Sequence, residues 1–230
     1  MRALRLFAAG LWFVAAAALT LYSQQASDGN AAPVVTFTLD FPASDPSHYS
    51  ISISEDGHGT YESSAKASAG AEDQLYESEF EISSANRGRI FSWAKQAGFF
   101  ADRLDSGNHK LAFTGTKTLS YKDGQRRYSE SFNYSSIPAV QELTDLFQRL
   151  GSTLDYGRML AYSHRYQKLA LDDELQRMEM QAKTHELSEI QAINPVLQEI
   201  YDDPSVMNVV RARAERLMEM GKADAAGKHR

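Results

Sequence analysis

Residues 49–61, YSISISEDGHGTY, place Glu55, Asp56 and His58 within one short stretch of the chain. Two carboxylates and an imidazole are groups that bind metal ions or exchange protons with a substrate. Acids exposed at a turn bind a metal only when ligands from other parts of the chain converge on them. Whether this stretch does chemistry therefore depends on the conformation of its backbone.

The alternation of apolar and polar residues predicts that this stretch is a β-hairpin. A three-residue loop, 55–57, with Gly57 in the left-handed conformation would pair Ile51 with Tyr61 and keep the apolar side chains on one face. A two-residue turn would mix apolar and polar side chains on each face. We therefore predict the three-residue loop, in which the two acids form the turn and point into solvent.

Two histidines belong to further groups that could do chemistry. His185 is followed by a glutamate, but the stretch THELSEI lacks the second histidine of a zinc-protease helix. His164 and Lys168 lie one turn apart on a predicted helix and would attract an anion, yet acids at 172–174 follow directly, which favours a solvated helix face. The chain also has no phosphate-binding loop, dinucleotide fingerprint or serine nucleophile elbow. We therefore predict no catalytic residue, no metal site and no cofactor.

The most regular pattern in the chain is HKLAFTGTKTLSYKDGQRRYSESFNYS, residues 109–135. A two-residue turn at Asp123-Gly124 would place the two halves of this segment side by side as a hairpin. In that register Lys117 opposes Glu130 on the apolar face, which predicts a cross-strand ion pair rather than a catalytic pair. The positions between the apolar residues carry small polar side chains, which would form the opposite face.

That opposite face would present a flat array of hydroxyl groups. We call it the hydroxyl ladder and define it as Thr114, Thr116, Thr118, Ser129 and Ser131. Such an array is a candidate to bind a glycan or to accept an added strand from a partner. Solvent-facing strand positions also favour threonine for packing reasons alone, so the array does not by itself specify a ligand.

The composition excludes several classes of function. The 230 residues are 43% hydrophobic and 23% charged, as in an ordinary globular protein. The formal net charge of −6 gives no electrostatic footprint for nucleic acid, so no nucleic-acid partner is expected. The chain has no cysteine, which excludes disulfides, thiolate nucleophiles and zinc sites built on cysteine.

The first 22 residues, MRALRLFAAGLWFVAAAALTLY, have two arginines followed by an uncharged apolar run. This order is typical of a signal peptide, and the run is also just long enough for a membrane anchor. In both cases the arginines favour a cytoplasmic start, so the rest of the chain is predicted to be exported to the periplasm or the outer face of a bacterial membrane. Membrane contact is expected only through this segment, if it stays uncleaved. Residues 23–33 form a polar linker.

The remaining pattern predicts an α+β fold, in which an antiparallel β-sheet lobe with packed helices is followed by an all-helical C-terminal lobe. The α+β sheet domain covers residues 34–151, the helical region 152–220, and a disordered tail 221–230. A helix capped by Ser136 is predicted to end at Gly151, since glycine commonly follows the last helical residue. In the helical region, a helix that begins at Asp172 is predicted to extend as far as Ile193.

The last helix is predicted to run from about Pro204 to Met220, with the proline at its first position. It carries more apolar side chains than a lone helix can bury, which predicts that they pack on the rest of the chain or on a partner. The residues that we predict for a partner surface are Val206, Val209, Val210 and Leu217.

Two weak resemblances cover parts of the chain. The order of a YxIxIxxDG hairpin, a helix that ends in AGFF and a last hairpin resembles a small domain of unknown function in exported bacterial proteins, over about residues 33–150. That resemblance implies no catalytic residue. The stretch DDPSVMNVVRARAERL resembles the second helix of a HEAT-like α-solenoid unit, although a stable array needs about three units.

The sequence thus predicts an exported envelope protein that binds or scaffolds another envelope protein without catalysis. The alternative is a glycan-binding protein or a hydrolase that uses carboxylates such as Asp56 or Glu130 on loops and strand ends.

Overall fold

The computed structural model describes residues 32–66, 73–108 and 110–225, except for the side chains at 65, 66, 73, 74, 224 and 225. The predicted export segment, nearly all of the linker and the last five residues of the predicted tail lie outside the described residues. Within the described ranges, no helix combines the length and the apolar character needed to cross a bilayer.

The described residues contain one antiparallel sheet of six strands in the order β4-β3-β2-β1-β5-β6. The α+β prediction is therefore confirmed. The strands are β1 (Val34–Asp40), β2 (His48–Ser54), β3 (His58–Lys66), β4 (Asp73–Glu81), β5 (Thr116–Lys122) and β6 (Arg127–Phe132).

Five helices follow or interrupt the strands in the described part of the chain. They are α1 (Ser84–Gln96), α2 (Pro138–Tyr166), α3 (Leu171–Lys183), α4 (Asn194–Asp202) and α5 (Asn208–Ala225). Helix α1 begins at Ser84, because the Ser83 side chain accepts a hydrogen bond from the backbone N–H of Asn86. Helix α4 has a proline in its first turn, where the missing backbone N–H costs no helical hydrogen bond.

The two faces of the sheet differ in burial. Alternate residues of β1 and β2 are buried, while the residues between them are partly exposed. Helices α1 and α2 pack on the buried face. The ring of Phe147 on α2 stacks on that of Phe37 on β1, with centroids 5.4 Å apart and planes 6° apart. From there a single apolar core continues into the helical region.

Helix α2 is one helix of 29 residues, so the prediction that it ends at Gly151 is wrong. Gly151 serves close packing instead. A Cβ atom at this position would lie 2.9 Å from the nearest ring carbon of Tyr49 on β2. The glycine therefore lets the helix approach the sheet, and α2 runs on from the sheet into the helical region.

We expect Gly151→Ala to lower the free energy of unfolding by about 1–2 kcal/mol, because overpacking outweighs the gain in helix propensity of about 1 kcal/mol. Gly88→Ala on α1 is the matched control, since a Cβ atom at that position would meet no packed neighbour within 4 Å. That control should leave stability unchanged or raise it by up to about 1 kcal/mol. Urea denaturation measures both, and equal effects of the two variants would contradict the packing role of Gly151.

The segment after α3 also departs from the prediction. Helix α3 ends at Lys183 instead of continuing to Ile193, and the backbone is left-handed at His185 and Glu189, with φ of 60° and 59°. The buried Glu189 carboxylate accepts hydrogen bonds from the backbone N–H and the hydroxyl of Ser83, at 2.7 and 2.6 Å. This contact ties the start of α1 to the helical region, and it explains why the chain turns here.

The two ends of the last helix are also shifted. Helix α5 begins at Asn208 rather than near Pro204. The backbone N–H of Ser205 donates a 2.8 Å hydrogen bond to the Asp203 carboxylate, and this bond holds Ser205 in a turn before the helix. The helix continues to Ala225, into the region predicted as a disordered tail. Gly221 packs closely there, since a Cβ atom at this position would lie 2.9 Å from the backbone nitrogen of Gln191.

Candidate binding site

The first candidate for chemistry is a turn, as predicted. Ile51 pairs with Tyr61, and Gly57 has a φ of 105°, which matches the three-residue loop. The Asp56 carboxylate accepts hydrogen bonds from the Ser54 hydroxyl and from the backbone N–H of His58, and these bonds lower the pKa of Asp56. The described residues contain no group of three side chains able to hold a metal ion.

The cations at the end of α2 do not form a free anion site. The Nε2 atom of His164 lies 2.9 Å from Oδ2 of Asp203, and Nζ of Lys168 lies 2.6 Å from the same oxygen. Hydrogen bonds lower the pKa of Asp203, and the bond from Lys168 has the largest effect. These residues therefore fasten α2 to the turn before α5, and the predicted solvated face is replaced by an ionic contact.

Three of the four apolar residues predicted for a partner surface lie in the core. Val206 is buried in the turn before α5, and Val210 and Leu217 are buried on α5, which packs against α3 and α4. Only Val209 is half-exposed. The structure thus leaves no continuous partner surface among these four residues, because the helical region itself covers their apolar side chains.

The hydroxyl ladder lies on the partly exposed face of the sheet, with one exception. The hydroxyl oxygens of Thr118 and Ser131 are 2.8 Å apart across β5 and β6, and Ser129 makes an equal contact with Ser120. Thr116 begins β5 on the same face. These hydroxyls bond to one another in cross-strand pairs, which uses part of their capacity to bind a ligand.

Thr114 does not belong to the ladder. Strand β5 begins only at Thr116, because Gly115 takes a left-handed φ of 93° where the chain passes close to Leu39 and Phe41. The hydroxyl of Thr114 instead accepts a hydrogen bond from Nζ of Lys117. The left-handed backbone at Gly115 therefore brings a predicted ligand-binding residue to a different place.

The predicted ion pair between Lys117 and Glu130 is wrong, because the β5–β6 register differs by two residues. Lys117 opposes Phe132, and Glu130 opposes Leu119. The hairpin turns at 124–125. The Asp123 carboxylate accepts hydrogen bonds from the backbone N–H groups of Gln125 and Arg126, and the backbone N–H of Asp123 donates to the carbonyl of Arg126. Because the shift is even, the side chains within β5 and β6 keep their predicted faces.

Lys117 is buried, with 5% of its surface exposed, and it has only neutral partners among the described residues. Its Nζ atom donates to Oγ1 of Thr114 at 2.9 Å and to the carbonyl oxygen of Asn133 at 3.0 Å. Longer contacts reach the carbonyls of Thr114 and Gly115, at 3.4 and 3.5 Å. Burial lowers the pKa of Lys117. All its partners are acceptors, which fits a protonated amine.

We call the depression around this amine the Lys117 groove. It has a volume of about 480 Å³, between the end of β6 and the first half of α2. Thr114 and Lys117 line it from the sheet, and Tyr134, Gln141 and Gln148 are among the residues on its other sides. The size and the mixture of apolar walls with a few polar groups are typical of binding pockets.

Exposed apolar rings and an open strand edge lie beside the groove. Phe113 and Tyr134 are both exposed, although aromatic side chains of this size are usually buried. Strand β6 is at the edge of the sheet, and no described strand pairs with its outer side. By the alternation of antiparallel pairing, Ser129 and Ser131 direct their backbone groups outward. Apolar side chains and outward backbone groups are therefore both exposed beside the groove.

One sequence signal for this groove is an aromatic pair across β5 and β6, which the predicted register does not contain. A shift of two residues opposes Tyr121 to Tyr128, an aromatic pair that also favours the observed hairpin. The Asp-Gly pair favoured the other turn. The groove also needs α2, which approaches Lys117 only in the folded chain, so the residues on that helix carried no signal of their own.

The fold and the groove define an α+β protein with a lysine-containing depression at one edge of an antiparallel sheet. No family model matches this chain, and a comparison with curated proteins found no match.

Proposed function

We propose that this protein is a non-catalytic binding or scaffolding module of the bacterial cell envelope, and that the Lys117 groove holds a carboxylate-bearing segment of a partner protein. The observation that carries the proposal is the buried amine of Lys117, which has no carboxylate partner among the described residues. The export-like segment at the start of the chain supports the location.

The charge balance at the groove favours a carboxylate as the group that reaches Lys117. A buried cation is stabilised most by an opposite charge at hydrogen-bond distance. Asp145 also lines the groove, but it forms a salt bridge with Arg149 one turn further along α2. A carboxylate from a partner would therefore find an amine that no acid in the described ranges neutralises.

The exposed rings and the open edge support a protein as the source of that carboxylate. Aromatic side chains such as Phe113 and Tyr134 are enriched at protein interfaces and depleted elsewhere on the surface. An extended segment can add to the outer side of β6, where Ser129 and Ser131 have outward backbone groups. The hydroxyl ladder would then contribute through these two residues.

The carboxylates named for a hydrolase do not meet in the described structure. Asp56 lies in the turn between β2 and β3, whereas Glu130 lies on β6, and strands β1 and β5 separate the two. A pair of acids must flank one substrate to cleave a glycosidic bond. The geometry therefore supports binding over hydrolysis by this pair.

A photo-cross-linking residue, benzoylphenylalanine, tests the proposal when it replaces Tyr134 in the tagged full-length protein in its own cells. We expect one discrete adduct with an envelope protein, reduced about tenfold or more by Lys117→Met, because a desolvated charge pair is worth several kcal/mol. The matched control places the same probe at Tyr166, an exposed tyrosine at the far end of α2.

The control position should give no adduct with the same protein. Thermal unfolding of Lys117→Met checks that the variant is folded. An adduct that forms equally at Tyr134 and Tyr166, or that survives Lys117→Met in a folded protein, would argue against the groove as the binding site.

A further inference from the structure

A second depression, which we call the Tyr61 cleft, lies further along α2. It has a volume of about 250 Å³, and its lining includes Tyr49, Tyr61 and Asp155. This volume is below the roughly 300–1,000 Å³ of pockets for drug-sized molecules, so it suits a smaller ligand. Gln148 lines both the Tyr61 cleft and the Lys117 groove, which places the two in succession along one face of α2.

The hydroxyl group of Tyr61 has no hydrogen-bond partner within the described part of the chain, although the residue is fully buried. The neighbouring hydroxyl of Ser63 is also buried and has no hydrogen-bond partner within the described residues, and its proximity lowers the pKa of Tyr61 against the larger effect of burial. A buried hydroxyl without a partner costs about 1–3 kcal/mol, and native proteins seldom keep one. Burial raises the pKa of Tyr61, so the phenol stays neutral and can donate as well as accept.

The lining of the cleft also includes the acid Asp155. The Oδ1 atom of Asp155 accepts a hydrogen bond of 2.8 Å from Nε of Arg158. Burial raises the pKa of Asp155, partly offset by that arginine, and the charge of Asp45 raises it further. Both acids line the cleft, and no lysine or arginine is among the described residues that line it. The cleft is therefore unfavourable for an anion.

An ammonium ion also fits this lining poorly. The O–H group of Tyr61 needs an acceptor, and an ammonium group offers only donors. Asp155 already has a cationic partner in Arg158. A ligand hydroxyl, in contrast, accepts from the phenol and donates to the carboxyl at the same time. The remaining lining fits a ligand with both polar and C–H surfaces, since it combines the amide of Gln148 with the apolar side chain of Leu39.

We infer that the Tyr61 cleft binds a neutral, hydroxyl-rich ring, of which a sugar unit is the chemical class, through the hydroxyl of Tyr61 and the carboxyl of Asp155. This binding site is separate from the partner segment proposed for the Lys117 groove. A protein with both sites would join an envelope protein to a glycan.

Saturation-transfer NMR on the full chain tests this inference with glucose, galactose and N-acetylglucosamine as probes. We expect at least one of these sugars to bind, and Tyr61→Phe to weaken its affinity about tenfold by removing one hydrogen bond. Tyr61→Phe removes only the unpaired oxygen, so thermal unfolding should show equal or higher stability. Tyr128→Phe on β6 is the matched control and should leave the affinity unchanged.

Lys117→Met should also leave sugar binding unchanged, which separates this inference from the proposed function. Glucosamine, which carries an ammonium group, serves as the competing probe. The inference is overturned if none of the three neutral sugars binds, if glucosamine binds more tightly than all of them, or if Tyr61→Phe binds sugar as well as the unmodified protein does.

Discussion

Replacement of Phe147 by alanine is expected to lower the free energy of unfolding by about 4 kcal/mol. Phe147 is fully buried on α2, and its ring stacks on Phe37 of β1 with centroids 5.4 Å apart. Alanine would remove apolar contacts on both sides of the boundary between the sheet and the helices and leave a cavity there. Equilibrium denaturation of the full chain in guanidinium chloride measures the loss.

Phe113→Ala is the matched control for this prediction, because it removes the same ring from an exposed position. Its effect should stay within about 0.5 kcal/mol, as for most surface substitutions. Equal losses in the two variants would mean that the stacked ring does not hold the sheet and α2 together. Phe113→Ala should instead weaken the partner adduct at the Lys117 groove if the exposed ring contacts the bound segment.

Glu179→Gln is expected to lower the free energy of unfolding by about 2–3 kcal/mol at neutral pH. Glu179 is buried on α3, and its carboxylate accepts hydrogen bonds from Arg213 at 2.9 Å and from Arg216 at 2.8 Å. An amide of the same shape removes the negative charge between these arginines of α5. The effect is smaller than for a fully buried pair, because about half of the Arg216 side chain is exposed.

The pH dependence of this effect follows from the same contacts. The hydrogen bonds from the two arginines hold the pKa of Glu179 at about 2, below its ordinary value of 4.5. The bond from Arg216 has the largest effect. Because the unfolded chain binds this proton more readily, the contribution of Glu179 is present above about pH 4.5 and is lost as the pH falls towards 2. The difference between the unmodified protein and Glu179→Gln should therefore shrink between pH 5 and about pH 2.

Glu219→Gln is the control for the ionic prediction. Glu219 also pairs with a cation, at 2.6 Å from Lys222, but about two thirds of each side chain is exposed. Exposed pairs contribute at most about 1 kcal/mol, so this variant should change stability little at any pH. A Glu179→Gln variant that behaves like Glu219→Gln across the pH range would show that the contacts between α3 and α5 do not depend on the buried carboxylate.

Local patterns predicted those elements whose conformation depends on neighbouring residues. The alternation along residues 49–61 predicted the pairing of Ile51 with Tyr61 and the left-handed conformation of Gly57. In both cases the deciding contacts lie within a few residues, so the sequence contains all the information that the conformation needs.

Predictions failed where a distant contact changed the role of a residue. Glycine commonly follows the last residue of a helix, but Gly151 lies inside α2, where the ring of Tyr49 packs against it. The hydrophobic spacing after α3 is helical, but Glu189 binds the start of α1, about one hundred residues earlier in the chain. Burial changed the setting of the residues predicted for a partner surface in the same way, because Val206, Val210 and Leu217 lie in the core of the helical region.

By itself the sequence determined the fold class, the faces of most strand residues and the 55–57 turn, because these follow from the periodicity of apolar residues and from short-range hydrogen bonding. Only the tertiary structure decided the two proposed binding sites. Lys117 and Tyr61 sit on different strands, and each becomes part of a depression only where α2 passes over the sheet. A cavity depends on how closely two distant surfaces pack, and no local pattern in the chain encodes that distance.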